Sequence, residues 1–265
     1  MRDYAIVRRT GKWCMAILIS LPLQQALAQP KTKLYTATGK FRHTPMFTTS
    51  DARYEGYSEA QVQKFYSNMK EFMELFHQTI PCINPPKGYY ISTWASCCFD
   101  GTCINNKVLA GNTGILIKAW EIHDDNPKPQ IGAEGPSIKV LVNDIKTMLW
   151  FGGSEDEWYP EPELVKTIDG CPVYGRGFLV LTKIKKPIFI PVPKAEVEKK
   201  FPGRSGKLKL VMPNPDFFDA SRKTDVQLVI IDLYKYNLSK DSWDDILIDE
   251  IRKTIDVPAL LHGLK

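Results

Sequence analysis

Past residue 23 the sequence has no apolar run that could cross a bilayer, no low-complexity stretch and no repeat at a fixed period. A spanning helix needs about 20 apolar residues, so no membrane anchor is expected beyond the N-terminal segment, and repeat architectures are excluded. Histidine is scarce, with four in 265 residues, and His43, His77, His123 and His262 stand apart from one another. No G-x-S-x-G, phosphate-binding loop or H-E-x-x-H occurs, so no motif names a nucleophile, a nucleotide or a catalytic zinc. No catalytic residue, metal or cofactor is assigned.

Excess charge of one sign is also missing. Residues 1–28 hold four of the 35 basic and one of the 30 acidic residues, so the chain from Gln29 onward carries a net charge of only +2. A nucleic-acid partner calls for a basic stripe interleaved with aromatics. The nearest stretch, "KIKKP" at 183–187, sits between apolar runs and reads as a solvated turn. No nucleic-acid partner is expected.

What the N-terminus does have is a three-part pattern. Arg8, Arg9 and Lys12 precede an apolar run from Trp13 to Leu23, and Ala26 and Ala28 follow in A-x-A spacing. This reads as a secretory signal peptide cleaved after Ala28. Gly11 and Lys12 disfavour twin-arginine export, and Cys14 lies too early in the apolar run for a lipoprotein anchor. Sec-type export to the periplasm or the exterior is the expectation. The remaining chain divides into an N-terminal extended segment (29–56), an α+β domain (57–237) and a C-terminal helix and tail (238–265).

One helix is strongly marked. Val62, Phe65, Met69, Phe72, Met73, Phe76 and Ile80 recur at spacings of three and four, which places them on one face. Ser58 with Gln61 forms a capping box, Tyr57 and Val62 a hydrophobic staple, and Pro81 a stop. A face so spaced packs on a core. Strands are expected over 88–98, 114–122, 138–144, 174–183, 187–192, 207–212 and 226–236. Pro191 and Pro193 confine the fifth of these to an edge or a strand end, because proline cannot donate to a ladder. Trp243, Leu247, Ile251 and Ile255 mark a second, short helix, with Pro258 as its stop. The short connections favour antiparallel pairing. The expected fold is α+β: a long N-terminal helix packed on a mostly antiparallel sheet, with a short C-terminal helix.

Beyond residue 28 there are five cysteines: Cys82, Cys97, Cys98, Cys103 and Cys171. Their spacing is not that of zinc knuckles, and no local base activates a thiol. An exported chain favours disulfides. Asp100-Gly101 suits a two-residue hairpin turn, which would set Cys98 opposite Cys103. Cys97 would then point to the other face and need Cys82 or Cys171, leaving one of those two as a thiol.

The remaining candidate chemistry lies in "GGSEDEWYPEPE", 152–163, where Glu155, Asp156, Glu157, Glu161 and Glu163 surround Trp158 and Tyr159. Calcium-loop spacing is absent. The segment reads as a surface loop, and Trp158, Tyr159, Glu155 and Asp156, with His123 of "EIHDD", are the residues expected to meet a ligand. The functional expectation is a non-catalytic exported module that binds a small ligand, a glycan or a protein. The alternative is an envelope hydrolase using carboxylate and histidine acid–base chemistry.

Overall fold

The computed structural model describes residues 40–43, 47–48, 56–83, 89–97, 107–123, 126–150, 158–175, 177–204, 206–233 and 243–265. Residues 1–28, read above as a signal peptide, lie outside the described residues, as do Cys98 and Cys103. Among the described residues no helix is long and apolar enough to cross a membrane.

The fold is α+β, with the sheet dominant. The first helix, α1 (Glu59–Gln78), starts where its cap directs. Ser58 Oγ accepts from the Gln61 amide at 3.3 Å, and Gln61 Oε1 accepts from the Ser58 amide at 2.8 Å, so two of the helix's orphan donors are satisfied reciprocally. Its apolar stripe is buried from Val62 to Phe76.

Twelve strands are described: β1 (Lys40–His43), β2 (Phe47–Thr48), β3 (Tyr89–Cys97), β4 (Gly111–His123), β5 (Asn126–Val142), β6 (Tyr159–Pro160), β7 (Leu164–Ile168), β8 (Cys171–Tyr174), β9 (Phe178–Thr182), β10 (Phe189–Pro191), β11 (Leu210–Pro213) and β12 (Leu228–Asp232). Nine form the main sheet in the order β1-β3-β4-β5-β12-β9-β8-β7, with β2 also on β3. From β3 to β7 every pairing is antiparallel. Only β1 and β2 join in parallel. The other three strands make a small sheet, β10-β11-β6, in which β10 with Pro191 is an edge, where its missing donor does no harm.

Four further helices complete the described elements: α2 (Ile145–Trp150), α3 (Lys194–Lys200), α4 (Trp243–Thr254) and α5 (Val257–Gly263). Pro258 ends nothing by itself. Helix α4 stops at Thr254, and the proline sits in the first turn of α5, which Asp256 caps by accepting from the Ala259 amide.

The main sheet is buried differently along its width. On one face Ile91, Ile115, Ile138, Val229 and Leu179 pack with the stripe of α1 and with Ile248, Ile251, Val257 and Leu260 of α4 and α5. The C-terminal helices thus belong to the domain core. On the other face Leu141, Leu228, Ile230, Phe178 and Val180 pack with α2, Tyr159, Val211 and Phe217. The middle strands are therefore covered twice, which explains why "LVIID" of β12 is buried at every position and shows no alternation.

Register in the middle of the sheet is fastened by one residue. Asn143, just past β5, holds φ at 54°. Its Nδ2 donates to the carbonyls of Leu109 and Asp225, and its Oδ1 accepts from the amides of Gln227 and Leu228. Gln227 extends the knot to Asp219 and Arg222. One buried side chain so ties the entry to β4, the end of β5 and the start of β12. Each of these buried backbone groups would otherwise be left unpaired at a cost of about 1–3 kcal/mol.

Candidate functional site

Strand alternation decides which side chains of β3, β4 and β5 leave the core. Ile91, Thr93, Ala95 and Cys97 are buried on the helix side. Tyr90, Ser92, Trp94 and Ser96 therefore point outward, and so do Asn112, Gly114, Leu116 and Lys118 of β4 and Ser137 and Lys139 of β5. Tyr90, Ser92, Trp94, Asn112, Leu116, Lys118 and Lys139 are each half-buried, and Ser137 is exposed. This outward face is polar and aromatic, whereas the same face over β12 and β9 is closed by the second layer.

One row crosses it. Trp94 is opposite Gly114, Gly114 opposite Lys139, Lys139 opposite Asp232, and Asp232 opposite Phe178. Gly114 is required by what lies on it. A Cβ there would come within 2.3 Å of the Trp94 six-membered ring and within 2.4 Å of the Ile138 carbonyl oxygen. The indole is thus seated down on the sheet, directly beside the strand that carries Lys139. Trp94 and Lys139 are two strand spacings apart, roughly 9–10 Å between backbones, and the ring closes part of that gap. Asp232, 2% exposed, and Phe178, 4% exposed, form the buried end of the row. The Lys139 ammonium makes no hydrogen bond or ion pair with another described residue. It is felt electrostatically at Asp144, whose carboxyl burial pushes up despite the bonds it accepts from Thr147. On the next rows Ser96 Oγ donates to Asn112 Oδ1 at 2.9 Å, and Ser92, Leu116 and Ser137 lie side by side.

Of the residues expected from sequence to meet a ligand, Trp158, Tyr159 and His123 lie among the described residues. Tyr159 is 5% exposed and packs in the second-layer core. Trp158 is half-buried against Val192, Val197 and Leu210, with Lys200 Nζ 5.0 Å from its ring centroid. Both rings anchor the small sheet, because Tyr159 pairs with Val211 in β11. They are not carried on an exposed loop. Glu155 and Asp156 lie outside the described residues, while Glu161 and Glu163 are exposed. His123 ends β4 opposite Asn126, in a different sheet from Trp158 and Tyr159.

The cysteines are also dispersed. Cys82 and Cys171 carry no disulfide. Cys97 is on β3 and Cys171 on β8, five strand positions away, on the order of 24 Å. Cys82 lies beyond the opposite end of β3, a strand length of roughly 26 Å from Cys97. A disulfide needs Cα atoms within about 7 Å, so the structure does not bring Cys97 to either. Strand pairing at Cys97 runs to Gly111 of β4 and to Thr48 of β2; the proposed Cys98–Cys103 hairpin itself falls outside the described residues. Burial pushes the Cys97 thiol up to about 12, and raises those of Cys82 and Cys171 as well. Thiols held protonated are poor nucleophiles.

Among the described residues no three histidine, cysteine or acidic side chains cluster to hold a metal. A cavity of about 210 Å³ lies between α1 and the C-terminal segment, lined by Asn68, Glu71, Phe72, Leu75, Val226 and Lys265 among others. Its polar walls satisfy one another: Lys265 Nζ is 2.7 Å from Glu71 and 2.9 Å from Asn68, and Asn68 Nδ2 donates to the Thr224 carbonyl. It is smaller than the usual ligand pocket.

Sequence reasoning passed over Trp94, Gly114 and Lys139. The available signal was the alternation in "YISTWASC", which sets a tryptophan among serines on the polar side of a strand. Compared with protein-family models, with curated proteins and with solved structures, the chain matches none.

Proposed function

We propose that this chain is an exported, non-catalytic binding module that takes a saccharide on the outward face of β3, β4 and β5. The observation that carries the reading is the seating of Trp94 over Gly114 on a face whose other described side chains are mostly hydroxyl, amide and ammonium groups. Aromatic faces attract the weakly positive C–H faces of sugar rings, through the same quadrupole that orders aromatic pairs. Hydroxyl and amide neighbours supply the few oriented polar contacts that fix a ligand. Export rests on the basic, apolar and A-x-A segments of residues 1–28.

Chromatography of the chain starting at Gln29 over immobilised neutral and acidic polysaccharides tests the reading, with product analysis of the same mixtures. Retention of the wild type without release of reducing ends is expected. Trp94→Ala should lose retention while its melting temperature stays near the wild-type value. Turnover of a retained polymer would give the hydrolase reading instead. Retention untouched by Trp94→Ala would remove this face as the site.

A further inference from the structure

The charge on the outward face narrows the ligand further. We infer that the Trp94–Gly114–Lys139 row is a subsite for an acidic sugar, with the pyranose ring on Trp94 and its carboxylate at Lys139; this rests on the saccharide-binding reading above.

Three observations carry it. Among the described side chains directed outward from this face, Lys139 of β5 carries the charge nearest to Trp94 in register, and it is half-buried. The nearest carboxylate in the row, Asp232, is buried at 2% exposure and out of a ligand's reach. Lys139 makes no hydrogen bond or ion pair with another described residue, so a ligand carboxylate displaces no partner among them when it binds there. A half-buried ammonium interacts with an anion through a lower effective dielectric than water offers, which strengthens the contact.

Geometry then selects a sugar over a simple anion. The indole fills the space above Gly114, and Gly114 is the residue paired with Lys139. A ring lying on the indole therefore ends about one strand spacing, near 5 Å, from the Lys139 backbone. An exocyclic carboxylate bridges that gap to the ammonium. A neutral sugar fills the aromatic part of the row and leaves the lysine unused, while an isolated phosphate or carboxylate leaves the aromatic part unused.

Titration with polygalacturonate tests this, using its fully methyl-esterified form, in which the same rings carry no charge, and polyglutamate, which has carboxylates without sugar rings. The wild type is expected to bind polygalacturonate at least tenfold more tightly than either control, with affinity falling as salt rises. Lys139→Gln should remove that preference, and Trp94→Ala should remove binding altogether, both with unchanged melting temperature. Equal binding of the acidic and esterified polymers, lost in Trp94→Ala but not in Lys139→Gln, would overturn the acidic-sugar inference and leave the saccharide reading standing. Equal binding of polyglutamate would overturn it as mere attraction to a polyanion. No binding of polygalacturonate, together with retention on a neutral polysaccharide, would overturn it too; retention on no polysaccharide at all would defeat the parent reading.

Discussion

Trp94 and Gly114 face each other across the β3–β4 pair, and the indole occupies the space a side chain at 114 would need. Gly114→Ala should therefore destabilise the protein by roughly 1–3 kcal/mol, the usual range for forcing a methyl into a filled site. Part of the cost should vanish in the Trp94→Ala background, because the two positions share one volume. The remainder reflects the Ile138 carbonyl, which is backbone and cannot turn away. Denaturant melts of the two single variants and the double variant would show this coupling, and strictly additive costs would contradict the seating.

Asn143 offers a sharper stability test. Asn143→Ala strands three buried backbone groups and a partly buried one and places an alanine at φ 54°, so a loss of about 3–5 kcal/mol is expected. Asn143→Gly strands the same groups but tolerates the left-handed backbone, and should recover about 1 kcal/mol of that loss. If the two variants melt alike, the backbone conformation contributes nothing.

Asp144 predicts a pH dependence. Burial holds its carboxyl above the ordinary carboxylate range in the folded protein. The folded state therefore keeps this proton after the unfolded chain has released it. The contribution is fully present below the ordinary carboxylate value and declines as pH rises through the window up to the folded value. Asp144→Asn cannot titrate, so its melting temperature relative to wild type should rise as pH moves from acid toward neutral. Parallel curves across that range would show that the buried carboxyl does not titrate as described.

Phe72 tests the packing of α1. The ring is 3% exposed within the helix-side core. Phe72→Ala should cost about 3–5 kcal/mol. A change below about 0.5 kcal/mol would mean that the stripe is exposed.

Much of the frame was legible in the sequence because it follows from short-range rules. The capping box at Ser58 and Gln61 and the three-and-four spacing through Phe76 depend only on neighbours within one or two turns. Strand order did not follow. Strand β12 enters between β5 and β9 after the chain has left to build the small sheet, and nothing local at residues 226–236 announces that insertion. The break between α4 and α5 was misread for a related reason. Pro258 serves equally as a stop or as a first-turn residue, and the Asp256 cap decides which.

The candidate site was less legible still. Trp158 and Tyr159 sit among acids and so look exposed in one dimension, yet pairing with β11 folds Tyr159 into the second layer and Trp158 packs against Val192, Val197 and Leu210. Trp94 sits in an unremarkable run, and its role depends on a glycine twenty residues on and a lysine forty-five residues on. Cross-strand rows of this kind exist only once register is set.

The most direct test of the central claim is oxidative side-chain footprinting of the wild type with and without polygalacturonate. Binding on the outward face predicts that Trp94 and Tyr90 lose reactivity on addition of the polymer, while Trp158, packed beside Lys200 in the small sheet, keeps its own. Protection of Trp158 with Trp94 unchanged would contradict the account.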